Sequence, residues 1–164
     1  MSRFARAAGK PLLVGLLAAA LLAACERRPE PPRHVDLVSA PVGDEVPALV
    51  RAELARASAD RRDLLVYVGA TWCEPCQRFH RAAAAGQLDA SFPSLRLLEF
   101  DSDRDSERLA SAGYRSRLIP LFAVPSPDGR ASGRQIEGSI KGEGAVAQIA
   151  PRLRALLGKP DAPP

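Results

Sequence analysis

The feature that most constrains this chain is the stretch Val66-Tyr-Val-Gly-Ala-Thr-Trp-Cys-Glu-Pro-Cys76. An apolar run of strand formers ends in Cys-x-x-Cys, and a helical pattern begins inside that motif. Leu64 to Val68 lacks polar alternation, as a strand covered on both faces does. After Cys76, Phe79 and Ala83 continue one helical face while Gln77, Arg78 and Arg81 point elsewhere, and Gly86 closes the helix. The sequence therefore places two thiols at a strand-to-helix turn.

That position has chemical consequences. The thiolate, not the thiol, attacks a disulfide. Unpaired backbone N–H groups and the helix dipole favour negative charge at a helix start. Cys73 lies there and is expected to be the acidic, exposed nucleophile. Cys76 is one turn on, close enough to bond Cys73, and is expected to be more buried and to act as the resolving thiol. Pro75 falls in the first turn, where its missing N–H costs little. Glu74 sets a carboxylate beside Cys73 and opposes thiolate formation.

Other uses of the pair fit less well. A zinc site lacks a second Cys-x-x-Cys or a paired His. His80 stands four residues after Cys76 but reads as a solvated surface side chain, so no metal is expected. Haem attachment requires His directly after the second cysteine, and Gln77 is there. Asp101-Ser-Asp-Arg-Asp resembles a calcium loop at its start, but Ser106 and Ala112 stand where Gly and Glu are needed. An acidic helix start, closed by Gly113, is the better account.

The formal net charge of the 164 residues is +4, and Arg3, Arg6 and Lys10 supply three of those charges. The remainder is nearly neutral and gives no electrostatic case for nucleic acid. Leu12 to Ala24 is an unbroken apolar or small-residue run, short of the roughly 20 residues of a bilayer span. It fits the core of a secretory signal. The ending Leu22-Ala23-Ala24-Cys25 resembles the bacterial lipobox. That resemblance implies a signal over 1–24 and lipid on Cys25, which becomes the new N-terminus. A plain signal or an uncleaved anchor are the alternatives, and all three export the domain. Glu26 in place of Asp after Cys25 argues, by the same analogy, against inner-membrane retention.

Residues 25–43 read as the lipidated cysteine and a linker with Pro29, Pro31, Pro32 and Pro41, extended rather than helical. Val35 to Val38 within it has the character of a short edge strand. A helix is expected from Asp44, as its cap, to Ala59, with Val46, Leu49, Val50, Leu54 and Ala57 on one face. Leu95 to Phe100 and Leu121 to Val124 read as strands. Ser126-Pro-Asp-Gly129 is a turn leading to a strand at Arg134 to Glu137. A last helix spans about 143–157, with Pro151 expected to kink it. Residues 159–164 read as a flexible tail.

Trp72-Cys-Glu-Pro-Cys76 on such a turn, with Ile119-Pro120 at the start of a later strand, resembles the thioredoxin family over about residues 44–158. The resemblance implies an α/β three-layer fold, a central mixed sheet flanked by helices. It implies that Pro120 is cis and faces the cysteines, that Ile119 pairs with an extended substrate, and that Gly138 lies on the substrate-facing loop. Trp72, Glu74 and Pro75 would complete that surface. No cofactor is implied beyond the Cys73–Cys76 disulfide.

The chain also departs from the family. The family's buried Asp, which handles the resolving proton, corresponds to Tyr67, and its accompanying Lys to Leu97. A Tyr, with a reference pKa near ~10, is a poor base at neutral pH, leaving water or Glu74. The expected function is a thiol–disulfide oxidoreductase, monomeric and lipid-anchored in the bacterial envelope, facing the periplasm. It would reduce disulfides of exported proteins, with a membrane thiol reductase as electron donor. Reduction is favoured because strong oxidants in the family carry His between the cysteines. A disulfide oxidase or isomerase, or a non-catalytic redox or metal-binding lipoprotein, are the alternatives.

Overall fold

The computed structural model describes residues 33–159. Along the chain run β1 (Asp36–Ser39), α1 (Val46–Ala59), β2 (Asp63–Gly69), α2 (Glu74–Ala84), β3 (Leu95–Asp101), α3 (Ser102–Ser111), β4 (Leu121–Pro125), β5 (Ala131–Glu137) and α4 (Ala145–Leu156). The sheet order is β1-β3-β2-β4-β5. β1 and β2 flank β3 in parallel, while β4 runs antiparallel to both β2 and β5. This is a thioredoxin-like α/β fold with a mixed sheet at its centre.

Alternation along the strands builds two cores. Leu65 and Tyr67 of β2, Leu95 and Leu97 of β3 and Phe122 of β4 pack beneath α2 and α4, against Phe79, Ala83, Ile149 and Leu153. Leu64, Val66 and Val68, with Leu98 and Phe100, face the other way onto α1 and α3, against Val46, Val50 and Leu109. Burial of β2 on both faces is what its unbroken apolar run requires. Because side chains alternate, Glu99 falls on the α2 side of β3, in register with Tyr67.

β1 is the short edge strand expected near Val35 to Val38, and it brings part of the stretch assigned to the linker into the sheet beside β3. The start of α1 differs from expectation. Asp44 does not cap α1. Glu45 is the N-cap without a side-chain bond, and Pro47 in the first turn removes an N–H that would lack a helical partner. The main-chain carbonyl of Asp44 accepts instead from Arg108 of α3 at 2.8 Å. Pro151 lies inside α4, which runs past it to Leu156, and its side chain faces solvent. The expected Ser126–Gly129 turn is present, with Gly129 N–H donating to the Ser126 carbonyl at 2.9 Å. Gly129 has φ +84° and its Cα faces the Pro47 carbonyl so closely that a Cβ would lie 2.2 Å from that oxygen. Only glycine suits both demands.

Among the described residues, no helix is long and apolar enough to cross a membrane.

Candidate functional site

Cys73 is the N-cap of α2 and is disulfide-bonded to Cys76, with the Cα atoms 5.2 Å apart. Its Sγ accepts from the Cys76 N–H at 3.3 Å. A thiolate on Cys73 therefore meets a donor and the positive end of the helix together. The difference in burial is smaller than expected. Cys73 is only 5% exposed against 2% for Cys76, because both sulfurs pack in a small apolar cluster with Ala70 and Ile119.

Ile119 reaches that cluster from far along the chain. The Ile119–Pro120 peptide bond is cis, as the resemblance implied. Among the described residues, no hydrogen bond uses the main chain of Ile119, so it is open to an extended partner. Gly138 lies beside this loop. It is buried, its N–H donates to the Pro120 carbonyl at 2.8 Å, and Leu118 fills the space beside its Cα. It steadies the Pro120 loop.

The other motif residues divide. Trp72 is 66% exposed, and its indole N–H donates to Asp103 of α3 at 2.8 Å. Pro75 is buried in the first turn of α2. Glu74 does not oppose the cysteines unopposed. Its Oε1 takes Arg78 Nε at 2.9 Å and the Gly142 N–H at 3.2 Å. Arg78 also donates to Glu143 at 2.7 Å, clamping α2 to the segment before α4. The hydrogen bond from Arg78 holds the Glu74 carboxyl below its usual range, so Glu74 is a weak candidate for taking a proton from Cys76.

Tyr67 and its neighbours occupy the other side of the disulfide. The Tyr67 hydroxyl donates to the Cys76 carbonyl at 3.2 Å, and its ring stacks on Phe122 at 5.0 Å. Burial, then the Glu99 charge, push its ionisation well above the usual tyrosine range. It holds α2 in place and cannot act as a base. Beneath α2 a cavity of about 440 Å³ is lined by Cys76, Tyr67, His80 and Glu99 among others. Glu99 Oε1 is buried in it without a hydrogen bond, and His80 Nε2 stands 3.4 Å away. Burial pushes the Glu99 carboxyl up, with His80 opposing.

Glu99 is the residue that sequence reasoning missed. Leu97, taken as the partner position, instead pairs with Leu65 and is fully buried. The available signal was an acid two residues after Leu97, on the strand face that also carries the buried Leu95 and Leu97. On the Cys73 side lies a groove of about 450 Å³, lined by Trp72, Tyr114, Arg115, Arg117, Leu118 and Ile119 among others.

A family model described as Thioredoxin-like matches residues 48–127. No curated protein matches the chain. Among solved structures, a poplar thioredoxin h is 24% identical, covering 76% of this chain and 99% of its own, with a TM-score of 0.47. Spinach chloroplast thioredoxin f is 18% identical, covering 75% and 92%, with a TM-score of 0.48. A structure from work on the resolving mechanism of yeast mitochondrial 1-Cys peroxiredoxin is 20% identical, covering 62% and 83%, with a TM-score of 0.42. The chain thus carries a thioredoxin-like domain, assigned on its own strand order and the family match. That fold, with a Cys-x-x-Cys disulfide at the start of α2, supports a thiol–disulfide oxidoreductase.

Proposed function

We propose that this protein is a lipid-anchored oxidoreductase of the bacterial envelope that reduces disulfides in exported proteins. The observation that carries the chemistry is the Cys73–Cys76 pair capping α2 and packed against Ile119. In the reduced form, the Cys73 thiolate attacks one sulfur of a substrate disulfide, whose second sulfur leaves as a thiolate. Cys76 then loses its proton and attacks Cys73 Sγ. The Cys73–Cys76 bond forms, the mixed disulfide breaks, and the substrate leaves as a dithiol.

Glu99 is the acceptor for the Cys76 proton in this scheme, with His80 relaying it outward. It shares the cavity with Cys76, and its Oε1 carries no hydrogen bond among the described residues, with His80 Nε2 3.4 Å away. Two electrons must return from a donor, for which a membrane thiol reductase is the class expected. Glu74 and Pro75 stand between the cysteines, with no histidine there to stabilise the Cys73 thiolate, which favours reduction of substrates over their oxidation.

The test is insulin reduction by the full chain and by Cys73→Ser, with several reductants supplied. Turnover that disappears in Cys73→Ser is expected. Absence of any Cys73-dependent turnover would leave a non-catalytic binding protein. Equilibration with glutathione buffers fixes direction. A potential below that of glutathione supports a reductant, and one well above it makes the protein an oxidase or isomerase.

A further inference from the structure

We infer that the groove beside Cys73 selects polypeptide disulfides whose flanking residues are acidic. The inference rests on the thiol–disulfide reading and names its substrate class. The groove has an apolar rim, with Trp72 66% and Leu118 60% exposed. Among the described residues, its charged lining residues are Arg115 and Arg117, and no acid lines it. Both arginines are exposed. Among the described residues, neither guanidinium group makes a hydrogen bond or ion pair.

That freedom sets them apart from the other arginines near the site. Arg78 is held by Glu74 and Glu143. Arg104 and Arg108 are both held by Asp105. Two acids touch lining residues without entering the groove. Asp103 accepts from the Trp72 indole at 2.8 Å, and Glu137 accepts from the Arg117 main chain at 2.9 Å. Among the described residues, the groove therefore presents two guanidinium groups without an ion-pair partner next to an apolar platform. It leads to Ile119, whose main chain is open and whose side chain packs on the disulfide.

An extended polypeptide fits that surface. Its main chain would lie along Ile119, an apolar side chain on Trp72 and Leu118, and a carboxylate at Arg115 or Arg117. A lysine at the same place would meet like charge. Exposed charges of this kind act mainly on encounter rate and are screened by salt.

The experiment uses the full chain and disulfide-linked peptides identical except for Glu, Gln or Lys flanking the cysteine. Cys73-dependent kcat/KM is measured at low and high salt, with bis(2-hydroxyethyl) disulfide as a neutral small substrate. The expected order is Glu above Gln above Lys, with about a two- to fivefold step per contact at low salt and a flattened series at high salt. Arg115→Gln with Arg117→Gln should flatten the series. Arg115→Glu with Arg117→Glu should invert it. Turnover of the neutral disulfide should stay the same in every variant. Equal rates for Glu and Lys peptides, or a preference that survives both arginine changes, overturns the inference and leaves the oxidoreductase standing. A charge effect seen with oxidised glutathione but not with the peptides overturns the polypeptide assignment. No turnover of the neutral disulfide brings down the oxidoreductase reading, and this inference with it.

Discussion

At the scale of single residues, Tyr67 and Glu99 divide between them what one buried acid could do. Tyr67 holds the Cys76 carbonyl, and Glu99 supplies the only carboxylate oxygen without a hydrogen bond among the described buried side-chain atoms. A Glu99→Gln substitution keeps the shape and removes the charge. In the wild type, resolution of the mixed disulfide should speed up as pH rises through the raised Glu99 ionisation. The variant should lose that limb and slow by roughly 10²-fold, read by single-turnover Trp72 fluorescence. Unchanged pH–rate curves would return the proton to bulk water. Stability gives an independent check. The Glu99 carboxyl is raised above its ordinary 4.5 in the fold, so its contribution is complete below pH 4.5 and is lost as pH rises through the folded value. Oxidised Glu99→Gln should therefore match the wild-type melting temperature in acid and exceed it progressively toward neutral pH.

Among the elements, α3 shows most clearly how charge replaces apolar area as the fastening. Asp105 is buried, accepts the Asp101 N–H at 2.9 Å, and holds Arg104 and Arg108. Arg108 in turn donates to the carbonyls of Pro41 and Asp44, so α3 is tied to the chain between β1 and α1. Burial raises the Asp105 carboxyl, but the Arg104 hydrogen bond, the Asp101 N–H and Arg108 outweigh it and leave it below 3.8. Its contribution is present above pH 3.8 and is lost as pH falls through the folded value. Asp105→Asn should cost about 3 kcal/mol at neutral pH, a gap that narrows in acid, measured by urea unfolding of the oxidised protein. α2 is fastened differently. Phe79 is fully buried and meets Phe122 edge-on at 4.7 Å. Phe79→Ala should cost about 3–5 kcal/mol with little dependence on pH.

For the whole molecule, the parts that could be read from the sequence were those whose signals are local. The Cys73–Cys76 pair, the β2 run and the Ser126–Gly129 turn each carry their chemistry within a few residues. Ile119–Pro120 was placed by resemblance, since nothing beside it in the chain announces the disulfide it meets. Glu99 was out of reach because its meaning depends on the register between β2 and β3, and an offset of two residues put Leu97 in its place. Glu53 was hidden in the same way. It lies on the buried face of α1, yet its partner Arg96 at 2.9 Å comes from β3. Cys25 falls outside the described residues, and its role as a lipid site rests on the Leu22–Cys25 motif. If lipid there holds the protein to the membrane, processing and anchoring depend on Cys25 while the redox chemistry does not, since Cys73 and Cys76 are already paired with each other. Expressed from its own start in a bacterial envelope, the wild-type chain should partition into detergent and have the mass of residues 25–164 plus acyl chains. Cys25→Ala should lose the lipid mass and the detergent partitioning while keeping Cys73-dependent insulin reduction in the extract. Detergent partitioning that survives Cys25→Ala without acyl mass would identify residues 1–24 as an uncleaved anchor instead.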